Sequence, residues 1–587
     1  MQALLCTNLN DRYQTPTQVL ADLNALQPEL RQLNANAQAQ QNLAGYIADD
    51  VLPGDDTATA LTGGDTTGED SGNFRTGDLK PSSPTILCVE NRPKHQDSLR
   101  IYFTKHGFRV LLLTDPQRAM LRLASDHGYQ DVFEDGYDIL DENWEADPDN
   151  QLTLQSVIVY RYYDEASTLL GRGQTPSMAT FATDLGSLIV RVRDLVCGNP
   201  KNKLAANEFR CYLVAHSMGG LVCRAFLQNP KYDPANARRH VAKLFTYATP
   251  HNGIDVGGFN VPAWLTRYDV SNFSREHMAK YLDLEEAFQA TGRVDWLPED
   301  RFPSEQVFTM IGTNRQDYEV AAGLSRSFAG HGSDGLVRIE NATLCGIDTD
   351  GNATQQCAKA FAYRAHSGFF GIVNSEEAYQ NMTRFLFGDV RVDIWVHIDE
   401  IRLPPEIQER VEAGQTLNAL YQVEALASAR GKLWFLTRRV AEEDSVACLS
   451  WADWQADPKE NGALYLSTVF LSKKARVNPR RRTLSYSLQL GVRVPDYELD
   501  KRFWPDKHYE GGYLFRDAII IELTPPTDDK GAWKVLHAWQ RQGFSTADQD
   551  TELHDVAGGK DEAVLEFDSE TTPGIKGRVR FVLSSWD

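Results

Sequence analysis

Cysteine is scarce in this chain. The eight cysteines among 587 residues are scattered, and none forms a Cys-x-x-Cys pair. That argues against a zinc ribbon, and at this length neither a disulfide framework nor a structural metal is required for stability. Positive charge is short as well: 60 Lys and Arg stand against 81 Asp and Glu, a net charge of −21. A field of that sign repels phosphate backbones and argues against a nucleic acid partner. No stretch reaches the roughly 18 to 20 consecutive apolar residues of a membrane-spanning helix. The first ten residues carry neither a basic segment nor an apolar core of signal-peptide length. The expectation is therefore a protein that stays in the cytoplasm or leaves it by a route without a cleaved signal. Heptads and repeat periods are absent too. What is present is ordinary globular composition, 42% apolar and 24% charged, with length for two to four domains.

Residues 1–52 place Leu20, Leu23, Leu26, Leu30 and Leu33 at helical steps, which predicts an N-terminal helical extension. Residues 53–84 turn to Gly, Asp, Thr and Ser and read as a linker or surface loop. From Thr85 short apolar runs alternate with helical spacing: 85–89, 108–113, 156–163, 211–215, 243–247 and 306–311 as strands, 97–106 and 181–196 as helices. That pattern predicts a mostly parallel sheet with helices on both faces, over 85–390. After about Val390 many short alternating runs appear, with turn signals at Asn478-Pro479, Gly511-Gly512 and Pro525-Pro526. They predict a β-sandwich-like domain over 391–587.

The sharpest chemical signal is Ala215-His216-Ser217-Met218-Gly219-Gly220, where a strand ends and a helix begins. A nucleophile elbow holds its serine on a strained strand-to-helix turn, so small residues must flank it. Ala215 and Gly219 fill those places. Ser217 is the expected nucleophile, against the plainer reading of a helix N-cap serine, and the Met218 amide would serve an oxyanion hole. A serine needs a base, and the fold's chain order is Ser, acid, His. His366, on a loop between a strand-like and a helix-like stretch, is the expected base, with His331 as the rival. Asp334, in the turn Ser333-Asp334-Gly335, is the expected acid, with Asp317 as the rival.

Four motifs in this order, Ala215-His216-Ser217-Met218-Gly219-Gly220, Thr249-Pro250-His251-Asn252-Gly253, Ser333-Asp334-Gly335-Leu336-Val337 and Ala365-His366-Ser367-Gly368, resemble the α/β-hydrolase lipases. Within these the chain is similar to the bacterial triacylglycerol lipases and the GPI inositol-deacylase-like branch. The resemblance spans about 85–388. It implies the α/β-hydrolase fold, a Ser217–Asp334–His366 triad, and hydrolysis of carboxylic esters without metal or organic cofactor. One departure is the loop after the first strand. It reads Glu90-Asn91-Arg92-Pro93 where such lipases carry His-Gly or Pro-Gly, and Asn91 or Arg92 is the candidate second oxyanion donor. The same stretch also has the grammar of a receiver-like insert.

The segment 254–303 sits in the slot where this fold commonly holds a lid. Its aromatic and apolar residues, Trp264, Leu265 and Tyr268 among them, are candidate acyl-pocket residues; a helical hairpin packed on the core is the plainer reading. Lys473, Lys474, Arg476, Arg480, Arg481 and Arg482 form the densest cationic run. A solvated hairpin turn explains it, and peripheral contact with anionic lipid is the functional alternative. Cys345 and Cys357 flank a polar loop and could pair in an oxidising compartment. The expected partner is a lipid or ester substrate. Two further readings remain: a phospholipase effector exported without a signal peptide, and a non-catalytic hydrolase-fold scaffold.

Overall fold

The computed structural model describes residues 85–88, 109–112, 122–123, 126–128, 130–133, 152–160, 177–254, 273–315, 332–367, 371–432, 434–476, 478, 480–499, 507–526, 533–542, 549–556 and 559–586. The helical extension and linker expected over 1–84 lie outside them. The chain divides into two compact units, Met1–Arg118 with Phe544–Thr546, and the remainder. In the first, strand β1 (Thr85–Cys88) pairs in parallel with β2 (Arg109–Leu112).

The second unit opens with a parallel pair, β3 (Gln130–Phe133) and β4 (Ser156–Ile158). Helix α1 (Met178–Gly198) follows, its first turn capped by Ser177, whose hydroxyl accepts from the Thr180 amide. Then come β5 (Cys211–His216), α2 (Met218–Gln228) and β6 (Val241–Tyr247). Two short helices, α3 (Arg275–Tyr281) and α4 (Glu285–Thr291), lead into β7 (Trp296–Pro298) and β8 (Val307–Gly312). Next are β9 (Cys345–Ile347), β10 (Ala353–Gln356), β11 (Ala358–Ala362) and α5 (Glu376–Phe387). The central sheet runs β5-β6-β8-β11, every neighbour parallel. Parallel strands covered on both faces read as unbroken apolar runs, and every residue of β8 and β11 is buried. Alternate residues split the core. Leu244, Ile311 and Phe361 face α1 and α2, whereas Phe245, Met310 and Ala360 face α5. This is the parallel sheet with helices on both faces that the sequence pattern predicts.

Two antiparallel sheets follow. One contains β12 (Val390–Arg402); the other contains β13 (Leu417–Ala429), β14 (Thr437–Arg439) and β15 (Ala447–Ser450). Strand β16 (Ala463–Leu471) returns to β12, and β17 (Leu484–Leu499), β18 (Lys507–Thr524), β19 (Lys534–Trp539) and β20 (Gln549–Asp550) extend the β13 sheet. Strands β21 (Leu553–Val556), β22 (Lys560–Asp568) and β23 (Gly574–Ser585) complete the β12 sheet. One apolar core joins residues from both sheets, including Val392, Ile394, Val423, Leu488, Ile519 and Phe581, as in a sandwich.

The sandwich is tied to the hydrolase-like part. The Phe361 amide donates to the Thr437 hydroxyl at 3.2 Å, and the Ser467 hydroxyl donates to the Lys359 carbonyl at 2.8 Å. Phe385, Phe470 and Trp586 cluster with centroids 4.9–5.5 Å apart. The Trp586 indole also donates to the Phe385 carbonyl at 2.6 Å. Burial of such rings stabilises by about 1.5–3 kcal/mol each.

Two expectations change. Gly511-Gly512 is no turn but lies inside β18, where a Cβ on Gly511 would stand 2.0 Å from the Val494 carbonyl oxygen. Glycine there lets the two paired strands approach closely. The cationic run 473–482 is not a hairpin; it connects β16 in one sheet to β17 in the other. Arg476 and Arg482 there donate to backbone carbonyls. Cys345 and Cys357 are free thiols. Among the described residues no helix is long and apolar enough to cross a membrane.

Candidate active site

Strand β5 delivers Ser217 to the top of the sheet. Its backbone sits at φ +52°, ψ −125°, and α2 begins at the next residue. A non-glycine residue outside the favoured regions costs about 1–3 kcal/mol, so the surroundings must hold it. The Ser217 amide donates to the Tyr247 carbonyl at 2.9 Å, which locks the turn to the end of β6. Gly220 brings α2 close: a Cβ there would lie 2.2 Å from Thr249 Oγ1 and 2.7 Å from its Cγ2. Thr249 opens the Thr249-Pro250-His251-Asn252-Gly253 segment, so two of the motifs meet at this contact.

Asp334, the expected acid, sits in the turn after the 316–331 segment. Asp334 Oδ1 accepts from the Leu336 and Val337 amides at 3.0 and 2.8 Å, which fixes the carboxylate plane. Gly335 takes φ +101° to close the turn. Gly312, the last residue of β8, is also required. A Cβ on it would come within 2.6 Å of the Arg364 carbonyl oxygen and 2.8 Å of Asp334 Cβ. His366 follows β11, and its amide donates to the Asp334 carbonyl at 2.9 Å. Its ring then bridges the site. His366 Nδ1 bonds Asp334 Oδ2 at 2.9 Å and Nε2 bonds Ser217 Oγ at 2.9 Å. Asp334 and His366 are each 1% exposed and Ser217 is 7% exposed. The structure thus brings Ser217, His366 and Asp334 into one hydrogen-bonded chain. Met218 is the first residue of α2, among the helix-start amides that have no partner within their own helix. Asn91, Arg92, Trp264, Leu265, Tyr268, Asp317 and His331 lie outside the described residues. The described part of the lid slot folds as α3, α4 and β7, with Phe273, Tyr281 and Leu282 buried in the core.

Two residues escaped the motif reading. His216 precedes the serine, and its Nε2 lies 2.8 Å from the His366 carbonyl oxygen; the rings are 4.9 Å apart. A carbonyl only accepts, so His216 Nε2 carries the proton and donates. Burial, then the neighbouring His366, pulls His216 down to about 4, so it is neutral at physiological pH. Arg224 is fully buried on α2. Its guanidinium donates to the carbonyls of His251, Val294 and Trp296 at 2.8–2.9 Å and to Gln228 Oε1 at 2.8 Å. That fork staples the elbow helix to the His251 turn and the base of the lid slot. Neither residue has a sequence signal of its own, because their carbonyl partners are far along the chain. Among the described residues no group of three or more His, Cys, Asp or Glu converges as a metal site.

Residues 180–283 match a family model described as a PGAP1-like alpha/beta domain. The match covers α1, the elbow and α3, and the domain is hydrolase-like, as the resemblance to α/β-hydrolase lipases and esterases implies. No curated protein matches the chain. Among solved structures the chain is similar to the mature form of the Bacillus licheniformis lipase BlEst2. Identity is 16% over 36% of this chain and 73% of that one, with a TM-score of 0.24.

Proposed function

We propose that the chain is a serine hydrolase of carboxylic esters, acting on lipid or other acyl esters through an acyl-enzyme on Ser217. The observation that carries this is the unbroken Ser217–His366–Asp334 chain on a strained elbow. His366 Nε2 takes the hydroxyl proton as Ser217 Oγ attacks the ester carbonyl, and the imidazolium then gives that proton to the departing alkoxide. Asp334 orients the ring and stabilises its cation. The Met218 amide, at the positive end of α2, donates to the developing oxyanion. Water, activated by the same histidine, cleaves the acyl-enzyme and frees the acid. His216 supports this step by being neutral. A second imidazolium 4.9 Å away would oppose protonation of His366, and a neutral donor on the His366 carbonyl does not.

The test is turnover of p-nitrophenyl esters of increasing acyl length, with a phospholipid panel beside them. Hydrolysis of at least one series, with a chain-length preference, is expected. A well-folded protein inert towards every ester and phospholipid would contradict the proposal.

A further inference from the structure

A cavity of about 570 Å³ lies where the loop carrying Asp334 meets β11 and β14, and neither Ser217 nor His366 lines it. Four cations face it, Arg293, Arg338, Lys359 and Arg439, against a single carboxylate, Glu340. In a chain of net charge −21 that local excess reverses the overall sign. The outer two cations have acidic neighbours: Arg293 pairs with Asp295 at 2.6 Å and Arg338 with Glu340 at 3.6 Å. The inner two have no carboxylate partner among the described residues. Lys359, 9% exposed, donates to the Gln356 side-chain carbonyl at 2.5 Å and lies over the Tyr465 ring at 4.7 Å. Arg439, 6% exposed, donates to the carbonyls of Ser445 and Leu466 and lies over the Phe361 ring at 4.2 Å. Buried cations without a counter-charge are unfavourable until an anion joins them. Burial, and then Arg439, already pulls Lys359 down to about 7.

We propose that this cavity is an anion site that takes a phosphoryl group, carried by a small soluble organophosphate or by a lipid headgroup. A phosphate presents several acceptor oxygens at once, which suits a cavity lined by three arginines and a lysine. Phe361 and Ile339 add an apolar wall for the organic part of the ligand. The volume falls inside the roughly 300–1,000 Å³ of small-molecule pockets. Its position gives binding a consequence. Gly332, Arg338 and Glu340 flank Asp334 on one loop, closed by the Ile339 amide on the Gly332 carbonyl at 2.9 Å. An occupant held between that loop and Arg439 of β14 steadies the carboxylate that orients His366. The proposal does not depend on Ser217 being a nucleophile, because binding is read without any ester.

The experiment is isothermal titration of the full chain with inorganic phosphate and with glycerol phosphate. Co-sedimentation with phosphatidylcholine vesicles, with and without phosphatidic acid, runs beside it. Saturable binding is expected, unchanged in Ser217→Ala. Lys359→Met and Arg439→Met should each weaken it about tenfold to hundredfold, the worth of one charge-assisted hydrogen bond. If either buried variant fails to fold, the double variant Arg293→Gln with Arg338→Gln carries the same test from the outer rim, with a loss of about tenfold expected. Binding of the soluble phosphates assigns a free organophosphate. Binding only to phosphatidic acid vesicles, lost in the same variants, assigns a headgroup. No saturable binding in either arm, or binding that ignores every substitution, overturns the proposal.

Discussion

Around Ser217, polar side chains are joined by hydrogen bonds: Asp334 to His366 to Ser217, His216 to the His366 carbonyl, Arg224 to carbonyls from two separate segments. In the sandwich, the hydroxyls of Tyr421, Tyr486 and Tyr497 are buried with no hydrogen-bond partner among the described residues. Their rings belong to a large apolar core. Burying such a ring gains about 1.5–3 kcal/mol and an unpaired neutral hydroxyl loses about 1–3 kcal/mol, so the sandwich can carry the mismatch. In the proposed mechanism Ser217 and His366 cannot, because an unpaired group there would leave proton transfer without a path. At the triad, polar groups set the geometry; at these three tyrosines of the sandwich, ring burial outweighs an unpaired hydroxyl. Substitutions in the two regions should therefore fail differently, through turnover in the first and through stability in the second.

The largest expected effect is on turnover. Ser217→Ala should lower kcat by about 10⁴ to 10⁶ while leaving the melting temperature unchanged or slightly raised, since alanine removes a hydroxyl and no packing. Asp334→Asn should lower kcat by about 10⁴ by presenting the wrong hydrogen-bonding face to His366. A much smaller loss for Asp334→Asn would move the acid to the other candidate, Asp317. Where the sandwich meets the hydrolase-like part, Trp586→Ala should destabilise by about 3–5 kcal/mol in denaturant unfolding, with kcat near wild type at temperatures where it stays folded. Activity lost without lost stability would break the comparison, because the sandwich would then act on the site directly.

Two smaller effects sharpen it. His216 is held down to about 4 when folded against an ordinary value near 6.5. The unfolded chain therefore binds the extra proton first as pH falls. Its share of stability is full above about 6.5, is lost between there and about 4, and amounts to about 3 kcal/mol. His216→Gln should flatten the slope of stability against pH in that window, measured by urea midpoints. Gly220→Ala should cost about 1–3 kcal/mol through overpacking against Thr249, and Thr249→Ala should recover part of it in the double variant.

Much of this was written in local sequence. The run from Cys211 into Leu221 announces a strand, an elbow and a helix because strand period and helix start abut within ten residues. Asp334 and His366 were reachable because chain order limits the candidates after Ser217. The sandwich announced its class by alternation, yet Gly511-Gly512 misled. Glycines mark a turn and a close approach of paired strands alike, and only the pairing of β17 with β18 decides between them. Likewise the cationic run at 473–482 has a hairpin's composition, but pairing partners elsewhere send β16 and β17 into different sheets. The four-cation cavity had no local signal at all. Arg293, Arg338, Lys359 and Arg439 are spread over 147 positions and meet only in the fold.

The most direct measurement of the central claim is labelling of the folded chain with a fluorophosphonate probe, followed by peptide mapping. One adduct, on Ser217, is predicted, formed orders of magnitude more slowly in His366→Ala and absent in Ser217→Ala. An adduct on another serine, or no adduct while a known serine hydrolase labels in parallel, would contradict the assignment of Ser217 as the nucleophile.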